Sequence, residues 1–444
     1  MVKWSAHHEP RRQSLTGPSS VFVATHDLAG QTRGRAVPMS SHDKVLTTGT
    51  GWVPANLGIT AFGSIAPGIP FGSTGDLRLM PDKATQIEMP GDDHRPGMLL
   101  YLADQTELDG SPWDCCPRTF LRRALDDLRT STGLDVVASF EHEFMLDVVA
   151  AAPFSLQRHR VAEPFGSDLL TLLESTGLQP ENWLAEYGAG QFEVTVAPAS
   201  GLTAADRAVL LRDLVRDLAV RHGHHATFAP VSEPGATGNG VHIHLSLQDG
   251  QGRPVLYEPD RAGSLSAVGA QFSAGILRHA AAVSAFTASS PISFLRLKPH
   301  RWSVGGVFLG ERNREALVRI SPTTTVGGQS EGTQFNLEYR AADATANPWI
   351  ALGVLVRAGL EGITGGYPEP TVWPESATET ELDGVPALPE SLSDALAAVE
   401  ADDAVRSWFH PDLLTTYLAV KRSEIAAVAD LSEAEQVARV RDVY

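Results

Sequence analysis

Three segments of this chain place polar side chains two residues apart inside apolar runs: Glu141-His142-Glu143, His242-Ile243-His244 and Glu338-Tyr339-Arg340. On a strand, residues i and i+2 share a face, roughly 7 Å apart, so each segment offers a pair of polar groups to one side. A fourth segment, Glu186-Tyr187-Gly188-Ala189-Gly190-Gln191-Phe192-Glu193, sets a carboxylate on either side of a Gly-rich turn. Glycine lets such a turn fold tightly because it has no Cβ to clash. Ala138, Phe140, Phe144 and Leu146 mark the strand of Glu141 and Glu143 as buried, and buried carboxylates are costly unless paired or bound to metal. The four segments therefore read as walls of one polar pocket. The plainer alternatives are a half-solvated strand for the glutamates and core histidines satisfied by backbone groups for His242 and His244.

A length of 444 residues exceeds what one compact core usually holds, so two domains are expected. The net charge of −18 argues against nucleic acid or an anionic membrane surface as a partner, although a few focused arginines can still bind ATP. The two cysteines, Cys115 and Cys116, are adjacent and make neither a structural staple nor a zinc site, which fits a reducing cytoplasm. Met1 to Gly17 is polar and carries no apolar run of a signal peptide, and no stretch approaches the ~20 apolar residues of a membrane helix.

In chain order, residues 1–17 read as a loose start and 18–108 as a small β-rich domain. Ser20–Pro38 is expected to be a hairpin turning at Asp27–Gln31, residues 44–75 a long Gly-rich loop, and Asp76–Asp82 and Met98–Leu102 short strands. The second unit spans 109–444, with a boundary turn at Asp109-Gly110-Ser111-Pro112. A helix with Phe120, Leu121, Ala124, Leu125 and Leu128 on one stripe should end at Gly133, followed by a strand over Leu134–Leu146. Ser167 is expected to cap a helix from 168 to 176, and Thr203 one from 204 to 222. Thr237–Gly240 should turn into a strand over 241–247, residues 264–288 should form one buried helix, and Pro348 should open a helix to Ile363. Residues 365–390 read as a surface excursion, with helices closing the chain.

The candidate ligands are mostly carboxylate, with little imidazole and no thiolate, which favours Mg²⁺ or Mn²⁺ over Zn²⁺. Arg296, Arg301, Arg312, Arg314, Arg319 and Arg340 are dense for an acidic protein, and guanidinium forks match phosphate and carboxylate oxygens. Metals held by carboxylates and faced by arginines suggest phosphoryl transfer. The chain carries no Gly-x-x-x-x-Gly-Lys-Ser/Thr phosphate loop, no nucleotide Gly-x-Gly-x-x-Gly after a first strand, and no nucleophile elbow.

Taken together, Glu141-His142-Glu143-Phe144, Gly190-Gln191-Phe192-Glu193, Gly238-Asn239-Gly240-Val241-His242-Ile243-His244, Arg312-Asn313-Arg314 and Glu338-Tyr339-Arg340 through Ala346-Asn347-Pro348 resemble the glutamine synthetase family, in the family's order and from about residue 18 onward. The resemblance implies an α+β fold: a small N-terminal β-grasp domain and a large catalytic domain with an antiparallel sheet and surrounding helices. It implies a homo-oligomeric ring, often a dodecamer, with active sites between subunits, ATP as co-substrate, and two or three Mg²⁺ or Mn²⁺ ions per site. Position by position, Glu143, Glu186 and Glu193 would hold one metal, and Glu141, His242 and Glu338 the other. Arg296 and Arg340 would clamp L-glutamate beside Gly238, with Arg296 and Glu338 also counted among the catalytic groups. Arg314 and Arg319 would face the transferring phosphoryl group, and His244 and Ser246 would lie along the nucleotide.

Three positions depart from the family pattern. Ammonia-using members bind ammonium with an acid of an Asp-Gly-Ser segment, where this chain has Phe62-Gly63-Ser64, and with an acid six residues after the arginine matching Arg296, where this chain has Trp302. Aromatics in place of two anions suit a larger, less polar amine. Asn336 stands where many relatives carry an arginine near the nucleotide. The expectation is an ATP- and Mg²⁺-dependent ligase joining glutamate to an organic amine (alkyl, aryl or polyamine). The alternatives are ordinary glutamine synthesis and a non-catalytic regulator or scaffold.

Overall fold

Val21–Ala24 and Leu99–Ala103 are continuous apolar runs, and both lie in the centre of a sheet where all of them but the half-buried Phe22 are buried. A computed structural model describes residues 17–92, 95–149, 151–298, 303–378 and 380–444. In its N-terminal part, β1 (Ser20–His26), β2 (Thr32–Pro38), β3 (Thr50–Trp52), β4 (Leu77–Pro81), β5 (Ile87–Met89) and β6 (Met98–Thr106) form a sheet of order β2-β1-β6-β4-β3, with β5 also on β6. β1 and β6 run parallel and the other pairs antiparallel. The expected hairpin is present, with Asp27 Oδ1 accepting the Ala29 and Gln31 N–H groups to shape its turn. The expected loop over 44–75 is in part regular structure. It contains most of α1 (His42–Thr48), closed by Gly49 at φ +61°, then β3 and a 3-10 turn at Pro54–Gly58. These pieces are too short for a periodic pattern to show, since only Val45 of α1 is buried.

α2 (Pro117–Thr132) starts at a proline, where the missing N–H loses no bond, and ends at Gly133 in the left-handed conformation. It leads into β7 (Leu134–Leu146), the centre of the second sheet. Beyond it lie α3 (Leu156–Val161), α4 (Phe165–Ser175), β8 (Pro180–Ala185), β9 (Gln191–Val196) and the two-residue β10 (Ala199–Ser200). Two N-cap expectations fail. α4 begins behind Pro164, and Ser167 instead donates to Glu163. The next helix, α5 (Gly201–Arg221), begins behind Ser200, whose hydroxyl bonds Thr203. Both helices start three residues early because tertiary packing extends them past the locally preferred cap.

After β11 (Ala226–Thr227) and β12 (Val241–Asp249), the expected single helix over 264–288 is two, α6 (Ala267–Arg278) and α7 (Ala280–Thr287). They break at His279, whose Nδ1 lies 2.6 Å from Asp402. β13 (Gly306–Glu311), β14 (Ala316–Ile320), the short α8 (Glu331–Gln334), β15 (Leu337–Tyr339), α9 (Pro348–Thr364) and β16 (Val372–Trp373) follow, so the surface excursion contributes one edge strand. α10 (Leu392–Ala401), α11 (Asp403–Ser407), α12 (Pro411–Ala426) and α13 (Glu433–Arg441) close the chain. The second sheet has the order β16-β13-β14-β15-β12-β7-β9-β8. It is mixed rather than antiparallel, because β13 runs parallel to both β14 and β16. α5 and α2 pack on β7, and α9 packs on α2, α5 and α6, giving the sheet a covered side. Among the described residues, no helix is long and apolar enough to cross a membrane.

Candidate active site

The register of the second sheet lines up the polar residues that alternation had placed on single strands. Glu143 of β7 is opposite Glu193 of β9, and Glu141 of β7 is opposite His242 of β12. His244 of β12 is opposite Glu338 of β15, which is opposite Arg319 of β14. Directly paired residues point to the same side of a sheet, so five strands deliver one polar face. On the other side, Phe140, Phe144, Val194, Ile243 and Tyr339 are buried in the core. His142 faces that core as well, and burial together with the Arg212 charge pushes its pKa down to about 3.

The polar face floors a cleft of about 1000 Å³ lined by Glu141, Glu143, Glu186, Glu193, Gly238, His242, His244, Arg296, Arg314, Arg319, Glu338 and Arg340. Its remaining wall is formed by Phe154, Leu184, Tyr187, Leu295 and the Gly235–Thr237 turn, with Gln191 and Ser303. His242 Nδ1 lies 3.2 Å from Glu141 and 3.5 Å from Glu338, and His244 Nε2 lies 3.0 Å from Glu141. Arg319 donates to Glu338 at 2.7 Å, and Arg340 donates to the other oxygen of the same carboxylate. Glu143 accepts the Gly240 N–H at 2.6 Å and sits beside Gln191, whose amide also bonds the Gly238 carbonyl at 2.9 Å.

The charges in the cleft are unevenly matched. Burial opposes ionisation of Glu141, but hydrogen bonds from His242 and His244 outweigh it and hold the carboxyl below its ordinary range. Burial also opposes the Glu338 charge, and His242, Arg340, His244 and Arg319 together overcome it. The His244 imidazolium is disfavoured by burial, yet its bond to Glu141 raises its pKa to about 9. Glu193 has no such help. Burial and then the charges of Glu141, Glu143, Glu186 and Glu338 push its carboxyl upward. Glu186 is raised for the same reasons, burial first and Glu143 next.

Such mutual repulsion is what a bound cation relieves, and the donors are oxygen-rich as Mg²⁺ or Mn²⁺ prefers. One ligand atom each from Glu141, His242 and Glu338 lie within 4.8 Å of one another, a span that a single ion closes with small side-chain adjustments. Glu143, Glu186 and Glu193 line the same cleft without closing to that spacing. The residues present therefore fit divalent metal.

Gly238 is a glycine for a steric reason: a Cβ there would come within 2.4 Å of the Arg296 side chain. Arg296 in turn donates to the Ala342 carbonyl at 2.7 Å, which fixes its guanidinium at the cleft wall. Among the described residues, two expected ones are not in the lining. Ser246 shares the β12 face of His242 and His244, but its hydroxyl donates to the Phe335 carbonyl at 2.8 Å. Phe62 sits at the tip of the Thr60–Ser64 turn, with the Arg439 guanidinium 4.6 Å from its ring centre. Trp302 lies outside the described residues. Asn336 Oδ1 accepts from His244 Nδ1 at 2.8 Å and so orients that ring.

A model of the glutamine synthetase catalytic domain matches residues 114–439, and one of the glutamine synthetase N-terminal domain matches residues 16–113. The chain belongs to the glutamine synthetase family. It is 33% identical to the gamma-glutamylpolyamine synthetase GlnA3 of Streptomyces coelicolor, over 96% of this chain and 94% of that one. It is also 31% identical to the glutamine synthetase of Pyrococcus furiosus, over 87% and 85% of the two chains. Among solved structures, a novel glutamine synthase homolog superposes with a TM-score of 0.90 at 42% identity, covering 99% of this chain and 100% of that one. An ADP complex of GmaS superposes with a TM-score of 0.80 at 25% identity, covering 95% and 96%. The family consists of ATP-dependent ligases that use divalent metals and bind glutamate, and this chain is such a ligase.

Two residues that shape the site are not marked as site residues by the motifs. Gln191 precedes Glu193 by two on β9, so alternation along that strand would have put it on the polar face. Arg158, 3% exposed, donates to the carbonyls of Glu186, Gly188 and Ala151. Nothing local in the sequence marks it, because its partners lie up to 30 residues away.

Proposed function

We propose that this ligase joins the γ-carboxylate of L-glutamate to an organic amine through a γ-glutamyl phosphate. The observation that carries the choice of amine is the set of acids in the cleft. Among the described residues, every acid lining it is one of the five glutamates Glu141, Glu143, Glu186, Glu193 and Glu338, all needed as cation ligands. Among the described residues no further lining carboxylate is left to hold ammonium, and Phe154, Leu184, Tyr187 and Leu295 line the cleft as well. The similarity to a gamma-glutamylpolyamine synthetase supports the same class.

In this reading Glu141, Glu143, Glu186, Glu193, His242 and Glu338 hold two or three Mg²⁺ or Mn²⁺ ions, which supply charge stabilisation to the ATP phosphates. Arg296 and Arg340 bind the carboxylates of glutamate beside Gly238. A γ-carboxylate oxygen attacks the terminal phosphorus of ATP; the new P–O bond forms as the bond to ADP breaks, and Arg314 and Arg319 offset the charge spread over the transferred oxygens. The neutral amine nitrogen then attacks the acyl carbon. The C–N bond forms, the C–O bond to phosphate breaks with its electron pair going to phosphate, and the nitrogen loses a proton to solvent. His244 lies along the nucleotide, roles for Ser246 at the nucleotide and for Phe62 and Trp302 at the amine site rest on the family resemblance alone, and the assembly is a ring of identical subunits, a dodecamer by that resemblance. The division at residues 108 and 109 separates the two domains, and the free, buried Cys115 and Cys116 suit a cytoplasmic setting.

Ordinary glutamine synthesis is the second reading, favoured by relatives such as the Pyrococcus furiosus protein. Phosphate release with ATP, glutamate, Mg²⁺ and a panel of ammonium, alkylamines, arylamines and polyamines separates the two. An organic amine with a kcat/KM above that of ammonium is expected; ammonium outperforming every amine would reject the proposal.

A further inference from the structure

At the mouth of the cleft, two aromatic rings are exposed where water would normally exclude them: Phe154 is 59% and Tyr187 64% exposed, and both line the cleft. They come from separate segments that Arg158 fastens together. Its buried guanidinium donates to Ala151 on one side and to Glu186 and Gly188 on the other, so the turns carrying the two rings share one anchor. Phe154 is also held at φ +54°, a left-handed conformation that bulky L residues seldom adopt and that persists only where the surroundings impose it. Tyr187 follows Glu186, whose carboxylate belongs to the cation-binding set, so a molecule reaching past that carboxylate meets the rings.

Resting on the reading above, we propose that Phe154 and Tyr187 form the specificity contact for the part of the acceptor amine that does not react, and that this part is apolar or aromatic. Arg158 is a positioning residue that keeps the two rings at the cleft mouth. A chain of further ammonium groups would need counter-charges at the rim. Glu186, the carboxylate next to Tyr187 in the chain, is already in the cation-binding set, so the rim favours an alkyl or aryl monoamine over a polyamine.

The test compares kcat/KM for a panel of benzylamine, butylamine, spermidine and ammonium in the full-length enzyme and in Tyr187→Ala, Phe154→Ala and Tyr187→Phe. Exposed rings can be truncated without emptying a core, so these variants should fold. The expected result is that the ratio of benzylamine to ammonium kcat/KM falls about tenfold in each alanine variant and is kept in Tyr187→Phe, which retains the ring. A general structural defect would lower both acceptors together and leave the ratio in place. If the wild-type enzyme prefers organic amines and neither alanine variant moves the ratio, this inference fails while the proposed function stands. A loss confined to spermidine would overturn it, as would a change of oligomeric state with uniform loss of activity, which would place the rings at a subunit interface. If wild type prefers ammonium, the proposed function itself fails.

Discussion

Arg118 and Glu338 are both about 1% exposed, and each is contacted by several opposite charges, yet their surroundings are built to different ends. Arg118 of α2 bonds Asp82 at 2.7 Å, Asp104 at 3.1 Å and Asp206 of α5 at 2.7 Å, linking the first sheet to the helices behind the second. Asp104 also pairs with Arg122, and Asp206 accepts the Trp349 indole N–H. Each acid there finds its donor within the chain. Around Glu338 the arginines and histidines satisfy Glu338 and Glu141, but burial and neighbouring glutamates push Glu186 and Glu193 upward, with Arg314 offsetting only part of that at Glu186. A cluster that is complete in itself holds the fold together, and one with unbalanced anions is waiting for something from outside.

Substitutions can break that contrast. The largest effect on stability is expected for Arg118→Met, which strands buried Asp206 and should cost about 3–5 kcal/mol by denaturant titration. Glu338→Gln should instead spare most of the stability and lower amine-dependent phosphate release by roughly 10²–10³-fold, because Arg319 and Arg340 lose their common partner and the cation site loses a ligand. If the two variants exchanged outcomes, the assignment of one cluster to structure and the other to chemistry would be wrong.

Metal removal tests the unbalanced cluster directly. Mg²⁺ at about 100 times its dissociation constant should stabilise the protein by about 2.7 kcal/mol, read as an upward shift of Tm that chelator reverses. Activity should vanish and return along with it. The smallest effect concerns protons. The folded-state pKa of Glu193 is raised, so the folded chain keeps a proton that the unfolded chain has lost. That contribution to stability is full below the ordinary carboxylate range and is lost as pH rises through the raised value. Metal-free protein should therefore lose Tm across that window, and Glu193→Gln should flatten the loss and raise Tm at its upper end by about 2–4 °C. An unchanged pH profile in that variant would remove Glu193 from the repulsive set.

Local pattern was informative wherever one element decided the outcome. Period-two alternation put Glu141 with Glu143 and His242 with His244 on single faces, and the glycine at 133 ended α2 where expected. Helix starts were less readable. Ser167 and Thr203 are good caps in isolation, but the helices reach back to Phe165 and Gly201 because neighbouring elements pack there. The break at His279 depended on Asp402, 123 residues away. The parallel pairing of β13 depended on which strand lay beside it, and no single strand encodes its neighbour.

The chain by itself determined which residues are acidic, which are basic, and which side of a strand each must take, because those follow from side-chain chemistry and the backbone repeat. Only the tertiary structure decided that Glu193, Glu143, Glu141, His242, His244, Glu338 and Arg319 stand in register across β9, β7, β12, β15 and β14. It alone decided that Arg158 would pin two aromatic turns to the rim of that row. The physical reason is that strand register and long-range donor–acceptor pairs are set by the burial of the opposite, apolar face. That burial is a property of all the packed elements together and of none of them alone.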